Sequence, residues 1–277
     1  MKIKNTLTLI LFAVLSYSSC FAQSLNYGDI SYNKAVNISG KQRMLSQKMS
    51  KAYLLMAKGV KDEKIKRELN SSKFIFKKQL EILKANASSS STKLYIKKIY
   101  KLWNKFDVLL SDTPPNVSTS KQIIDLNTSL LKACNDLVVD IEAKSNYDNK
   151  FFENNNQELV KIINVSGKQR MLSQRLCLYY IASVMFPKEK ATYRTMLSKV
   201  FDEFDSVIGY LLINGYNTTE SEEELGAIMA IWEKFQANKS DFLDGKYNLV
   251  EVYSTTNALT TSFNKVTGIY EIVAKNY

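Results

Sequence analysis

An all-α fold of two tandem antiparallel four-helix bundles is what this 277-residue chain predicts, and three observations carry that prediction. Only three prolines and nine glycines punctuate it. Between them apolar residues recur at three- and four-residue spacing, the period of a helix face rather than the alternation of a strand. Thirteen residues then occur almost verbatim twice, Asn-Ile-Ser-Gly-Lys-Gln-Arg-Met-Leu-Ser-Gln-Lys-Met from Asn37 and Asn-Val-Ser-Gly-Lys-Gln-Arg-Met-Leu-Ser-Gln-Arg-Leu from Asn164, ten of them identical at a separation of 127 positions. A second echo, Leu102-Trp103-Asn104-Lys105-Phe106 against Ile231-Trp232-Glu233-Lys234-Phe235, lies 129 apart. The duplication therefore takes in a whole unit.

The first 22 residues stand apart. Lys2 and Lys4 precede an apolar run from Leu7 to Tyr17, and Cys20-Phe21-Ala22 precedes Gln23, which are the three regions of a secretory signal peptide. The run is too short to span a bilayer as a helix, and no later stretch is long and apolar enough to do so. The mature protein is expected in the periplasm or secreted. A lipid anchor on Cys20 is the less favoured alternative, because Tyr17 stands where a small aliphatic residue is wanted. The two units are then 23–147 and 148–277.

In the first unit the spacing predicts a helix from Asp29 to Lys58 closed by Gly59, and a second from Asp62 to Ala85 closed by the run Ser88 to Thr92. A third spans Lys93 to Leu110, stopped by Pro114-Pro115, and a fourth runs from Ser118 to Ser145. The second unit repeats this as Asn149 to Phe186 before Pro187, Lys188 to Ile213 before Asn214-Gly215, Ser221 to Asn238, and Leu249 to Lys275. Short loops make neighbouring helices antiparallel, and a unit of this size can bury its own core. Trp103, Phe106, Trp232 and Phe235 are expected in those cores. A turn at Ser145 to Asn149 would set the first and fifth helices parallel with both motifs at one height. A fused fourth and fifth helix would instead carry the motifs far apart along a rod.

Composition removes several function classes. With no histidine, imidazole relays, Ser-His-Asp triads and the common zinc sites are excluded. No Cys-x-x-Cys pair, Gly-rich phosphate loop or Gly-x-Ser-x-Gly elbow is present, so an enzyme, a metal site and a cofactor are not expected. Without Lys2 and Lys4 there remain 36 Lys+Arg against 27 Asp+Glu, an excess suited to an anion or an anionic surface. Export makes nucleic acid the poorest partner. Cys134 and Cys177 could form a disulfide outside the cytoplasm, or stand as buried thiols among apolar neighbours.

On a helical wheel Arg43 lies within roughly 60° of Val36, Ser39, Gly40, Ser46, Gln47, Ser50 and Leu54. Ile38, Leu45, Met49, Ala52 and Met56 form the opposite, apolar stripe, which suits the unit's own core. The second copy matches, with Arg170 beside Ile163, Ser166, Gly167, Ser173, Gln174 and Cys177. A Gly/Ser/Gln face lets another backbone approach, and a guanidinium offers paired donors to an oxyanion. Two such faces meeting would bring Arg43 and Arg170 together, where an anion would bridge them. The candidate ligand-binding residues are Arg43, Arg170, Gly40, Gly167, Gln47, Gln174, Ser39 and Ser166. The plainer alternative is a tight packing seam, with each arginine held by a carboxylate of its own bundle and Lys41, Gln42, Lys168 and Gln169 as a solvated flank.

The motif Gly-Lys-Gln-Arg-Met-Leu-Ser-Gln resembles the first-helix motif of the PilJ-type domain, the N-terminal region of type IV pili methyl-accepting chemotaxis transducers. It is also similar to the nitrate/nitrite-sensing domain of NarX-type kinases. The resemblance implies a periplasmic four-helix sensor in which the motif arginines of two subunits hold a small anion such as nitrate or nitrite. Carried over, it assigns Arg43 and Arg170 to the ligand and Gly40 and Gly167 to the close approach. Two copies in tandem depart from that pattern. A homodimer or an envelope sensor partner is therefore a further expectation, and a ligand-free envelope adaptor is the competing one.

Overall fold

The computed structural model describes residues 26–144 and 156–273. The proposed signal peptide and the Ser145–Asn149 turn lie outside the described residues. What is described is all-α apart from one hairpin of two two-residue strands. The helices are α1 (Tyr32–Ala57), α2 (Glu63–Asn86), α3 (Ser90–Leu110), α4 (Val117–Lys144), α5 (Asn156–Met185), α6 (Lys190–Leu212), α7 (Thr219–Ala237), α8 (Lys239–Leu243) and α9 (Leu249–Val273).

Helix ends follow local chemistry. Asp62 caps α2 through the Lys64 N–H at 2.8 Å, and Ser89 caps α3 through the Thr92 N–H. The serine run read as the end of the second helix is thus the start of the third. Thr218 and Ser221 cap α7 reciprocally. The first helix begins three residues later than predicted, because β1 (Asn26–Tyr27) and β2 (Ile30–Ser31) pair antiparallel ahead of it. Gly28 makes that turn at φ +62°, and a Cβ there would lie 2.7 Å from the Asn86 side chain, so only glycine fits. Pro187–Glu189 forms a 3₁₀ turn before α6. The short α8 is unpredicted: its polar Lys-Ser-Asp start hides Phe242, which is buried 4.4 Å from the Phe235 ring.

Within each half the helices run antiparallel, as individual bonds record. The Tyr27 hydroxyl, just before α1, donates to Leu83 near the end of α2, and Thr92 at the start of α3 donates to Asp140 near the end of α4. In the second half Gln169 of α5 reaches Phe204 of α6, and Tyr270 at the end of α9 donates to Asn217 just before α7. The buried positions themselves repeat. Ile65, Leu69, Phe76, Leu80 and Leu83 of α2 recur as Tyr193, Leu197, Phe204, Ile208 and Leu211 of α6, 128 residues on. Ile96, Ile99, Trp103 and Phe106 recur as Leu225, Ile228, Trp232 and Phe235, 129 on. The aromatic centre is the same in both: Trp103 stacks on Phe76 and Trp232 meets Phe204, each with centroids 4.5 Å apart. All four expected core aromatics are buried.

The first and fifth helices, α1 and α5, pack directly on each other. Arg43 lies within electrostatic reach of Arg170, and Lys51 shares the Asn257 carboxamide oxygen with Gln174. Moving along α1 therefore moves the same way along α5. The two helices run parallel and in register.

Candidate functional site

The α1/α5 seam is polar for a protein interior. Ser39, Ser46, Gln47 and Ser50 of α1 and Ser166, Ser173 and Gln174 of α5 are all fully buried. Most serines return their hydroxyl to the preceding turn: Ser39 to Val36, Ser166 to Ile163, Ser46 to Arg43 and Ser173 to Gln169. That leaves them small and self-satisfied, which permits close helix packing without orphaned hydroxyls. Gln47 exchanges two hydrogen bonds of 3.1 Å with Asn127 of α4, and Gln174 donates to Thr260 and Asn257 of α9.

Both arginines sit at this seam, half-buried, and each is steadied by the fourth helix of its own half. Arg43 Nη1 donates to Asn135 Oδ1 at 2.9 Å, and Arg170 Nη1 donates to Asn264 Oδ1 at 3.1 Å. Arg170 Nε also donates to the Gly167 carbonyl. Burial draws both guanidinium groups below their ordinary range. Glu142 pulls Arg43 back up and Glu271 does the same for Arg170, while the charge of Arg43 adds to the depression at Arg170. Burial likewise raises the Glu142 carboxyl, against the pull of Arg43. Asn135 and Glu142 on α4 recur as Asn264 and Glu271 on α9, 129 residues on. Each half thus contributes one guanidinium, one carboxamide bonded to it and one carboxylate within its electrostatic reach.

Three sequence expectations change. Gln42 and Gln169 are not a solvated flank: both are fully buried, Gln42 donating to Gln79 and Gln169 to the Phe204 carbonyl. A wheel gives an angle about one helix, and α1 is covered by α2, α4 and α5 together. Lys168, by contrast, is exposed and pairs with Glu203. Gly40 and Gly167 do not admit a facing backbone. The nearest atom to a Cβ would be the guanidinium of the same helix, Arg43 Nη2 at 3.6 Å, an ordinary contact, and Arg170 Nη2 at 3.1 Å, so only Gly167 clears room for an arginine folded back over its own turn. Nor is the arginine partner a carboxylate in direct contact, because an asparagine takes that place in both halves.

Asn135, Asn264, Glu142 and Glu271 were not singled out from the sequence. The signal that could have found them is the Asn-x6-Glu spacing shared by the fourth and last helices at the separation of the two tryptophans. Cys134 and Cys177 are buried free thiols, not a disulfide. Among the described residues no cluster of His, Cys, Asp and Glu could hold a metal ion, and no helix is long and apolar enough to cross a membrane.

Residues 31–125, which begin at the end of β2 and run into α4, match the family described as type IV pili methyl-accepting chemotaxis transducer N-term, PilJ. Over these residues, about a third of the chain, the protein is similar to a PilJ domain. The segment holds the first motif copy, Arg43 included, and PilJ is a helical sensor-type domain of chemotaxis transducers rather than a catalytic one. The match ends before Asn135 and does not reach the second motif. No curated protein and no solved structure matches the chain.

Proposed function

We propose that this protein is an exported sensor-type module that takes a small oxyanion, nitrate or nitrite in class, between Arg43 and Arg170. The observation that carries the reading is two guanidinium groups at a buried polar seam, within electrostatic reach of each other and each hydrogen-bonded to an asparagine of its own half. An arginine has five N–H donors in a rigid fork. Fixing Nη1 on a carboxamide, and in Arg170 also Nε on the Gly167 carbonyl, leaves the remaining donors to a ligand in a set direction. Two like charges in a partly dry seam repel, and an anion between them replaces that repulsion with charge-assisted hydrogen bonds. Binding would favour the packing of α1 on α5 that brings both arginines to one ion. The sensory character of the PilJ domain and its usual periplasmic setting agree with this reading and with the proposed signal peptide.

The competing reading, a ligand-free envelope adaptor offering its Gly/Ser stripes to a partner helix, fits less well. The serines of those stripes are already fully buried, on two helices that pack against each other. Titration calorimetry with nitrate, nitrite and sulfate on the chain from Gln23 onward tests the proposal. Saturable heat that disappears in Arg43→Ala/Arg170→Ala is expected. Absence of heat with all three anions, or undiminished binding in the double variant, defeats it.

A further inference from the structure

On one flank of the α1/α5 seam lies a cluster of charge that the proposed anion site does not use. Lys51 of α1 has no exposed surface, and its Nζ is 2.8 Å from Glu68 Oε1 of α2. The same Nζ donates to Asn257 Oδ1 of α9 at 2.7 Å and lies 4.6 Å from the centroid of the Tyr253 ring. Glu68 Oε2 in turn accepts from the Tyr253 hydroxyl and from Asn257 Nδ2, each at 3.2 Å, with Lys48 at 3.8 Å. An ion pair contributed wholly by the first half is thus completed by two polar groups of the second.

The repeat makes this cluster informative, because it occurs once. The separations fixed by the buried pattern pair Lys51 with Leu178, Glu68 with Met196, Tyr253 with Ile124 and Asn257 with Thr128. The corresponding flank on the other side of the seam therefore has no ion pair at these positions. Leu178 and Ile124 are buried there, Met196 and Thr128 are exposed, and a partly exposed Lys121 reaches the Tyr193 hydroxyl. Apolar burial is non-directional and tolerates sliding, and a face of Gly and Ser offers few knobs to fix a register. Hydrogen bonds of set length around a lysine with no exposed surface do fix one, and a register role is the best attested use of buried polar groups.

We infer that Lys51, Glu68, Tyr253 and Asn257 form a one-sided key that sets the axial register of the first half against the second, and so the level at which Arg43 meets Arg170. The key depends on geometry between the halves, not on an anion, so it can be tested whether or not the oxyanion reading holds.

The test uses the chain from Gln23 onward, which lacks Cys20, in a Cys134→Ala/Cys177→Ala background, with spin labels at Lys77→Cys and Lys199→Cys, both exposed positions on different halves. Lys51→Leu/Glu68→Met gives the first half the residues the second half carries. The expected result is a distance distribution at least twice as broad as the parent's, or displaced from it, with an unchanged or higher melting temperature, since apolar replacement of a buried ion pair need not destabilise. Tyr253→Ile/Asn257→Thr leaves the ion pair in place and removes only the groups reached across the halves. It should broaden the distribution likewise, and it keeps the question answerable should the first variant fail to fold. A parent-like narrow distribution in a folded variant overturns the key. If the parent takes up none of nitrate, nitrite and sulfate, the proposed function fails while this distance measurement still decides the key.

Discussion

Arg43 and Asn135 are joined by a 2.9 Å hydrogen bond between α1 and α4, and the same bond recurs between Arg170 and Asn264 in the second half. Because α4 and α9 belong to the cores, each guanidinium is referred to a fixed frame rather than left on a flexible stem. Hydrogen bonds to charged groups contribute about 1.5–3 kcal/mol. Asn135→Ala or Asn264→Ala should then weaken nitrate binding by roughly tenfold, about 1.4 kcal/mol, in titration calorimetry. Equal affinity in parent and variants would mean that the asparagines do not orient the arginines for the ligand.

The two motif glycines should respond differently to alanine. At Gly40 the new methyl would lie 3.6 Å from Arg43 Nη2, ordinary contact, and the helix should gain up to about 1 kcal/mol. At Gly167 it would lie 3.1 Å from Arg170 Nη2, so the guanidinium must shift and part of that gain is lost. Urea unfolding of Gly40→Ala and Gly167→Ala resolves this, and identical midpoint shifts would count against it.

Lys51→Met alone should be among the most damaging substitutions in the chain. It strands the Glu68 carboxylate, whose side chain is 9 % exposed, and removing one partner of a buried pair costs about 3–5 kcal/mol. Adding Glu68→Met should recover most of the loss. A single variant within about 0.5 kcal/mol of the parent, the range of an ordinary surface change, would show that the pair is not buried as described.

The thiols predict an alkaline limit. Burial pushes Cys134 up to about 12 and Cys177 up to about 11, from 9.0. A thiol raised in the folded state keeps its proton there and releases it on unfolding. Its contribution is therefore complete below pH 9 and is lost as pH rises through 11 to 12. The buried Lys51 ammonium, drawn below its ordinary range chiefly by burial, acts in the opposite sense. Denaturation midpoints should fall above pH 9, less so in Cys134→Ala/Cys177→Ala, and both thiols should resist alkylation at pH 8 in the native protein. Rapid labelling of either at pH 8 contradicts this.

The parts of the fold legible in the sequence are those written as period and repetition. Trp103 and Trp232 announce the cores because large aromatics at matched helical positions have few other uses. Arg43 and Arg170 stand out because their surroundings are copied. Asn135 and Glu142 were hidden, since nothing local separates them from other polar residues on a half-solvated helix. Lys51 was hidden among many lysines, its burial arising from α2 and α9 closing over it. The burial of Gln42, which a solvated flank would leave exposed, comes from Gln79 and the neighbouring helices, and no angle about α1 reveals it.

The parallel pairing of α1 and α5 joins within one polypeptide what separate receptor subunits would have to find by collision. Tethered walls meet at an effective concentration set by the connecting chain, not by how much protein the cell makes. Under the proposed function, sensitivity to ligand is indifferent to expression level, and dilution does not separate the two halves of the site.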